Sequence, residues 1–70
     1  MNREPVQSRN LSSVGYDISA STLEIEFLKG GVYQYYGVPV HVYESLLNAV
    51  SKGSYFYHNI RNGGYSYSKV

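Results

Sequence analysis

Cysteine is absent from this chain, which excludes disulfides, thiolate metal sites and cysteine nucleophiles together. Histidine is scarce: His41 and His58 are too few to hold zinc without carboxylate help. No acidic residue neighbours His58, and His41 has only Glu44 close by. No metal and no cofactor are therefore expected. Long apolar runs are missing too. The longest uncharged stretch, residues 30–43, contains Gln, Gly, Pro and His and is too short to cross a bilayer. No basic start leads into an apolar core, so no signal peptide is read and the cytoplasm is the expected location. Charge is sparse as well. The net charge is +1, and Arg3, Arg9, Lys29, Lys52, Arg61 and Lys69 are spread along the sequence. Duplex binding rests on neutralising many phosphates, and this is a poor footprint for it.

Tyrosine is what the chain has in plenty: nine in 70 residues, with no tryptophan beside them. A tyrosine ring can build a core, stack on a base or anchor an interface. A chain of this length forms one domain, burying only roughly 60% of the surface it exposes when unfolded. With no covalent staple, the aromatics must supply much of its stability.

Residues 1–8 are polar, contain a proline and show no period, so a flexible N-terminal arm is expected ahead of a single domain over 9–70. From Ser12 onward Val14, Tyr16 and Ile18 alternate with small or polar residues, as in a strand. Ser19-Ala20-Ser21 reads as a turn, with Asp17 accepting local backbone N–H bonds. Leu23, Ile25 and Phe27 then alternate with Glu24 and Glu26 in the clearest strand pattern of the sequence. The returning strand, 32–36, can take either of two registers. A two-residue turn at Gly30-Gly31 puts Tyr33 and Tyr35 on the acidic face. A three-residue turn, Leu28-Lys29-Gly30, pairs Tyr33 with Ile25 and Tyr35 with Leu23; it is favoured because it fills a thin core face.

Pro39 suits the first turn of a helix. Val40, Tyr43, Leu46, Leu47 and Val50 follow at helical spacing, and Gly53 is a natural stop. Ser54 is read as the cap of a short second helical turn with Phe56 and Ile60 on one face. Tyr65 to Val70 alternates again. The expected fold is α+β: a three-stranded antiparallel meander, with a C-terminal edge strand as a fourth, and one main helix plus a short helical turn packed on one face. Its expected core is Leu23, Ile25, Phe27, Tyr33, Tyr35, Tyr43, Leu46, Leu47, Val50, Phe56 and Ile60.

Leu23-Glu24-Ile25-Glu26-Phe27, the Gly30 turn, Tyr33-x-Tyr35, Val38-Pro39, Ser51-Lys52-Gly53-x-Tyr55-Phe56 and Ile60-Arg61 together resemble the KTSC domain over nearly the whole chain. One departure is Gly63-Gly64, where the family more often has a single polar or charged residue before the last strand. The family is known as a C-terminal domain of some lysyl-tRNA synthetases and as small stand-alone bacterial or phage proteins. The resemblance implies a small module with RNA as a ligand to test.

The residues themselves favour binding over catalysis. Neither histidine has a nucleophile or orienting carboxylate placed beside it in sequence, and Ser51-Lys52-Gly53-Ser54 lacks the strand and spacing of a phosphate loop. Tyr33-x-Tyr35 reads as a core-lining pair or as a platform for unpaired bases. The face carrying Glu24, Glu26 and Tyr36 is a poor RNA surface. At roughly 4–6 Å and an effective dielectric near 20, each carboxylate repels a phosphate by on the order of 3–4 kcal/mol before screening, more than the ~1–3 kcal/mol of one stacked base. Lys52, Tyr55, Arg61 and Lys69 mix basic and aromatic character and form the candidate site for RNA, tRNA-like or single-stranded. The alternative is a protein-interaction module using tyrosine-rich surface or an exposed strand edge. A monomer is expected in either case.

Overall fold

The Leu28-Lys29-Gly30 turn sets the frame of the molecule. In the computed structural model, which describes residues 1–70, Gly30 N–H donates to Phe27 C=O at 2.9 Å and Phe27 N–H to Gly31 C=O at 3.1 Å. Gly30 has φ +102°, a conformation that costs glycine nothing. The three-residue register follows: Ile25 faces Tyr33 and Leu23 faces Tyr35, so both tyrosines share the core face.

Five strands form one antiparallel sheet in chain order: β1 (Glu4–Pro5), β2 (Leu11–Asp17), β3 (Thr22–Phe27), β4 (Val32–Tyr36) and β5 (Ser66–Lys69). Between β4 and β5 the chain forms α1 (Val40–Asn48), α2 (Lys52–Phe56) and a π-helical turn, Tyr57–Arg61. The α+β reading holds, with two more strands than the meander and one more than its four-stranded form. The C-terminal strand lies beside β4, and the extra strand comes from the N-terminus.

Val14, Leu23, Ile25 and Tyr35 from the sheet meet Val42, Leu46, Phe56 and Ile60 from the helical segment in a single core, closed by Leu11 and Val38. Phe27, Tyr33, Tyr43 and Leu47 are half-buried and pack against it. Val50 was expected in this core and is instead fully exposed. The helix ends at Asn48, and Ala49, in extended conformation, leads the chain out of it. The buried stripe of α1 is therefore Val42 and Leu46, and Val40 is 40% exposed. Ser51, not Ser54, caps the second helix, its hydroxyl accepting from Ser54 N–H at 3.3 Å.

Residues 1–8 are not a loose arm throughout. Glu4 and Pro5 pair with Val14 and Ser13, and Arg3 reaches across the outer face of the sheet to Ser13 Oγ (3.0 Å) and into an ion pair with Glu24. Gly15 makes this crossing feasible, because a Cβ there would lie 2.6 Å from the Asn2 carbonyl oxygen. A two-residue strand containing proline has no period for a sequence to display.

The outer face is thus a closed polar network rather than a bare acidic surface. Glu24 accepts from Arg3 and from Gln34 Nε2 (2.8 Å), Ser13 donates to Glu26 (2.9 Å), and Tyr36 bonds Ser68 (2.5 Å). The Gln34 amide first, and then Arg3, hold the Glu24 carboxyl below its ordinary 4.5. Glu24 therefore stabilises the fold above about pH 4.5, and that contribution is lost as pH falls through its lowered folded value. Urea midpoints measured between pH 7 and 3 should fall less steeply in Glu24→Gln than in the native chain; parallel curves would mean that Glu24 does not link folding to acid.

Candidate nucleic-acid interface

Asn10 brings distant basic residues together. Its carbonyl accepts from Leu28 N–H at 2.9 Å, tying it to the β3–β4 turn. Its side chain lies against Gly53 of α2, where a Cβ would come within 2.9 Å of Asn10 Nδ2. Ser8 Oγ, accepting from Asn10 and Leu11 N–H at 3.2 Å, shapes the approach. Arg9 is thereby placed with the turn that carries Lys29 and the helical segment that carries Arg61.

These residues line one cleft of about 610 Å³, within the range of small-ligand sites. Arg9, Lys29 and Arg61 supply its charge, Asn10 and Asn62 its neutral polar groups, and Phe27, Tyr33, Tyr57 and Tyr67 much of its aromatic surface. No carboxylate lines it. The single ion pair of the molecule, Arg3 with Glu24, lies on the outer face of the sheet, so all three cleft cations are free of carboxylate partners.

Each wall has its own cause. Ile60 is fully buried and anchors the π-helical turn, which leaves Tyr57 and Arg61 outward. The widened turn closes with Asn62 N–H donating to Tyr57 C=O at 3.3 Å, and such turns recur at functional sites. The Arg61 guanidinium lies 5.5 Å from the Tyr57 ring centroid, an attraction of about 0.5–1 kcal/mol at an exposed site. On the sheet side, Tyr67 faces Tyr35 across β4 and β5, with ring centroids 5.5 Å apart and planes at 29°. Beneath it Tyr35 is buried, edge-on to Phe56 at 5.4 Å. Burial, more than the neighbouring Tyr67, pushes the Tyr35 hydroxyl above its ordinary 10.0.

The glycines before β5 are both used. Gly64 has φ +84°, and a Cβ on Gly63 would collide with the Asn59 carbonyl. This pair lets the chain leave the π-helical turn and deliver Tyr67 to the cleft wall.

Of the residues singled out from the sequence, Arg61 lines the cleft. Lys52 lies in an adjoining depression that shares Arg9, Asn10 and Gly53 with it, and its ammonium donates to the Ala49 carbonyl at 3.3 Å. Lys69 sits at the rim, opposite Tyr33 and beside Gly31. Tyr55 lines neither hollow and packs half-buried against the core. Arg9, Asn10, Lys29, Tyr57 and Tyr67 were not singled out. Strand alternation through Tyr65-Ser66-Tyr67 was the available signal for Tyr67; nothing local marks Arg9. The basic residues, scattered in sequence, are gathered by the fold.

His58 donates from Nδ1 to the Ser54 carbonyl at 2.9 Å within its own helical segment, and no three His, Asp or Glu side chains come together as a metal-ligand group. No helix is long and apolar enough to cross a membrane.

Comparison with known proteins adds to this geometry. A KTSC domain family profile matches residues 7–69. An uncharacterized protein of Stutzerimonas stutzeri is 39% identical over 70 residues, 100% of this chain and 99% of that one. A lysine–tRNA ligase of Trichormus variabilis is 44% identical over 55 residues, covering 79% of this chain and 10% of the ligase; this chain thus corresponds to a small part of that protein. The crystal structure of a KTSC domain protein from Yersinia pestis is similar with a TM-score of 0.91 and 39% identity, over 99% of this chain and 96% of that one.

Proposed function

The chain belongs to the KTSC domain family, and on that premise we propose that it is a non-enzymatic module that binds RNA, tRNA-like or single-stranded, through the cleft of Arg9, Lys29 and Arg61. One observation carries the reading: three unpaired cations share a cleft with exposed aromatic rings and no carboxylate. Phosphate attracts the first and bases stack on the second. The match to part of a lysine–tRNA ligase supports RNA as the polyanion. The reading places the module in the cytoplasm, as a monomer.

Amide shifts of the domain, titrated with a mixed tRNA pool at low and moderate salt, test it. Localised shifts at residues 9–10, 29–30 and 57–62 that fade as salt rises are expected. No shifts at low salt would remove RNA as the ligand.

A second reading rests on β5. It is the last strand of the sheet, its outer edge is unpaired, and its four residues are exposed. Such an edge can accept a partner protein's strand. That association would barely respond to salt, which separates it from RNA binding in the same titration.

A further inference from the structure

The cleft offers more than charge. Tyr67 lines the cleft and is 63% exposed, its ring 5.5 Å from that of Tyr35 and 6.3 Å from that of Tyr33. Tyr57, on the helical wall, is 47% exposed. A duplex hides the faces of its bases inside the stack and presents phosphates and groove edges, so an open ring gains nothing from it. An unpaired base has a free face for that ring.

Resting on the RNA-binding reading, we propose that the cleft takes an unpaired nucleotide of a single strand, its base stacked on Tyr67 and its phosphate held by Arg9, Lys29 and Arg61, and that it discriminates against duplex. Tyr67 is then the residue that selects strandedness, while the three cations supply an attraction common to all RNAs. Tyr36 provides an internal contrast. It is also exposed, at 39%, but lies on the outer face beside Gln34 and Ser68, away from the cleft.

Fluorescence anisotropy tests this with three labelled probes of one length at one low salt concentration: a single-stranded oligoribonucleotide, the same strand annealed to its complement, and an abasic strand. The single strand should bind at least about tenfold tighter than the other two. Tyr67→Ala should weaken it roughly 5- to 100-fold, leave the abasic strand unchanged, and erase the preference. Tyr67→Val, which favours a strand but has no flat ring, should behave like Tyr67→Ala, separating loss of stacking from loss of β5. Tyr36→Ala should bind like the native chain. Equal affinity for the three probes, or full single-strand affinity in Tyr67→Val, would overturn the stacking proposal. RNA binding itself would survive that result if charge reversal in the cleft still weakened all three probes. Failure of every probe to bind the native chain would overturn both.

Discussion

Reversing two cleft charges together, Lys29→Glu and Arg61→Glu, should lower RNA affinity by a hundredfold or more while leaving the domain folded. Each substitution removes a phosphate contact and places a carboxylate where the phosphate sits. Even after screening, two such reversals outweigh the stacking of a single base. Folding should tolerate them because both residues are exposed and neither is in an ion pair; Arg61 gives up only its contact with Tyr57. Salt supplies an independent readout. Three phosphate contacts to a single strand give a slope of about −2 in log affinity against log salt, and the double variant should bind with a slope near zero. Native affinity in the double variant, with an unchanged melt, would mean that RNA does not use this cleft.

Leu46→Ala should cost about 2–5 kcal/mol, against a total stability on the order of 5 kcal/mol for a domain this small. Leu46 is fully buried where α1 meets the sheet, and with no disulfide to hold the chain the cavity acts directly on the folding equilibrium. Val50→Ala, four positions on, should change stability by less than about 0.5 kcal/mol, because Val50 lies beyond the end of α1 and is fully exposed. Urea unfolding of the two variants checks the pair. Similar midpoints would mean that the inward stripe of α1 is not Val42 and Leu46.

What the sequence displayed was local. The β3–β4 register follows from three turn residues and the poverty of the core face, and it places Tyr33 and Tyr35 correctly. The start of the main helix and the strand alternation were legible for the same reason. The end of α1 was not. Leu46, Leu47 and Val50 keep helical spacing past the point where the backbone turns out, and a periodic pattern does not reveal where the helix stops. The N-terminal strand was hidden by its length, and its placement depends on Gly15 sparing room for Asn2. The cleft was hidden more deeply. Arg9 joins Lys29 and Arg61 only because Asn10 bridges a hairpin tip and a glycine on α2, a contact between segments far apart in sequence. Sequence reasoning singled out basic and aromatic residues, of which Arg61 is one of the three cations that line the cleft.

The net charge of +1 conceals an asymmetry. Arg9, Lys29, Lys52, Arg61 and Lys69 occupy or border the cleft and its neighbouring depression, while Glu4, Asp17, Glu24, Glu26 and Glu44 all lie outside both. Positive charge is thus concentrated around the cleft, which holds no carboxylate. In the proposed RNA complex, that concentration would turn the cleft toward the polyanion before contact forms. Such orientation raises the fraction of productive encounters and acts on the association rate more than on the lifetime of the complex. Under the proposed reading, a nearly neutral domain would in this way find a charged strand quickly without becoming a sticky cation toward every other one.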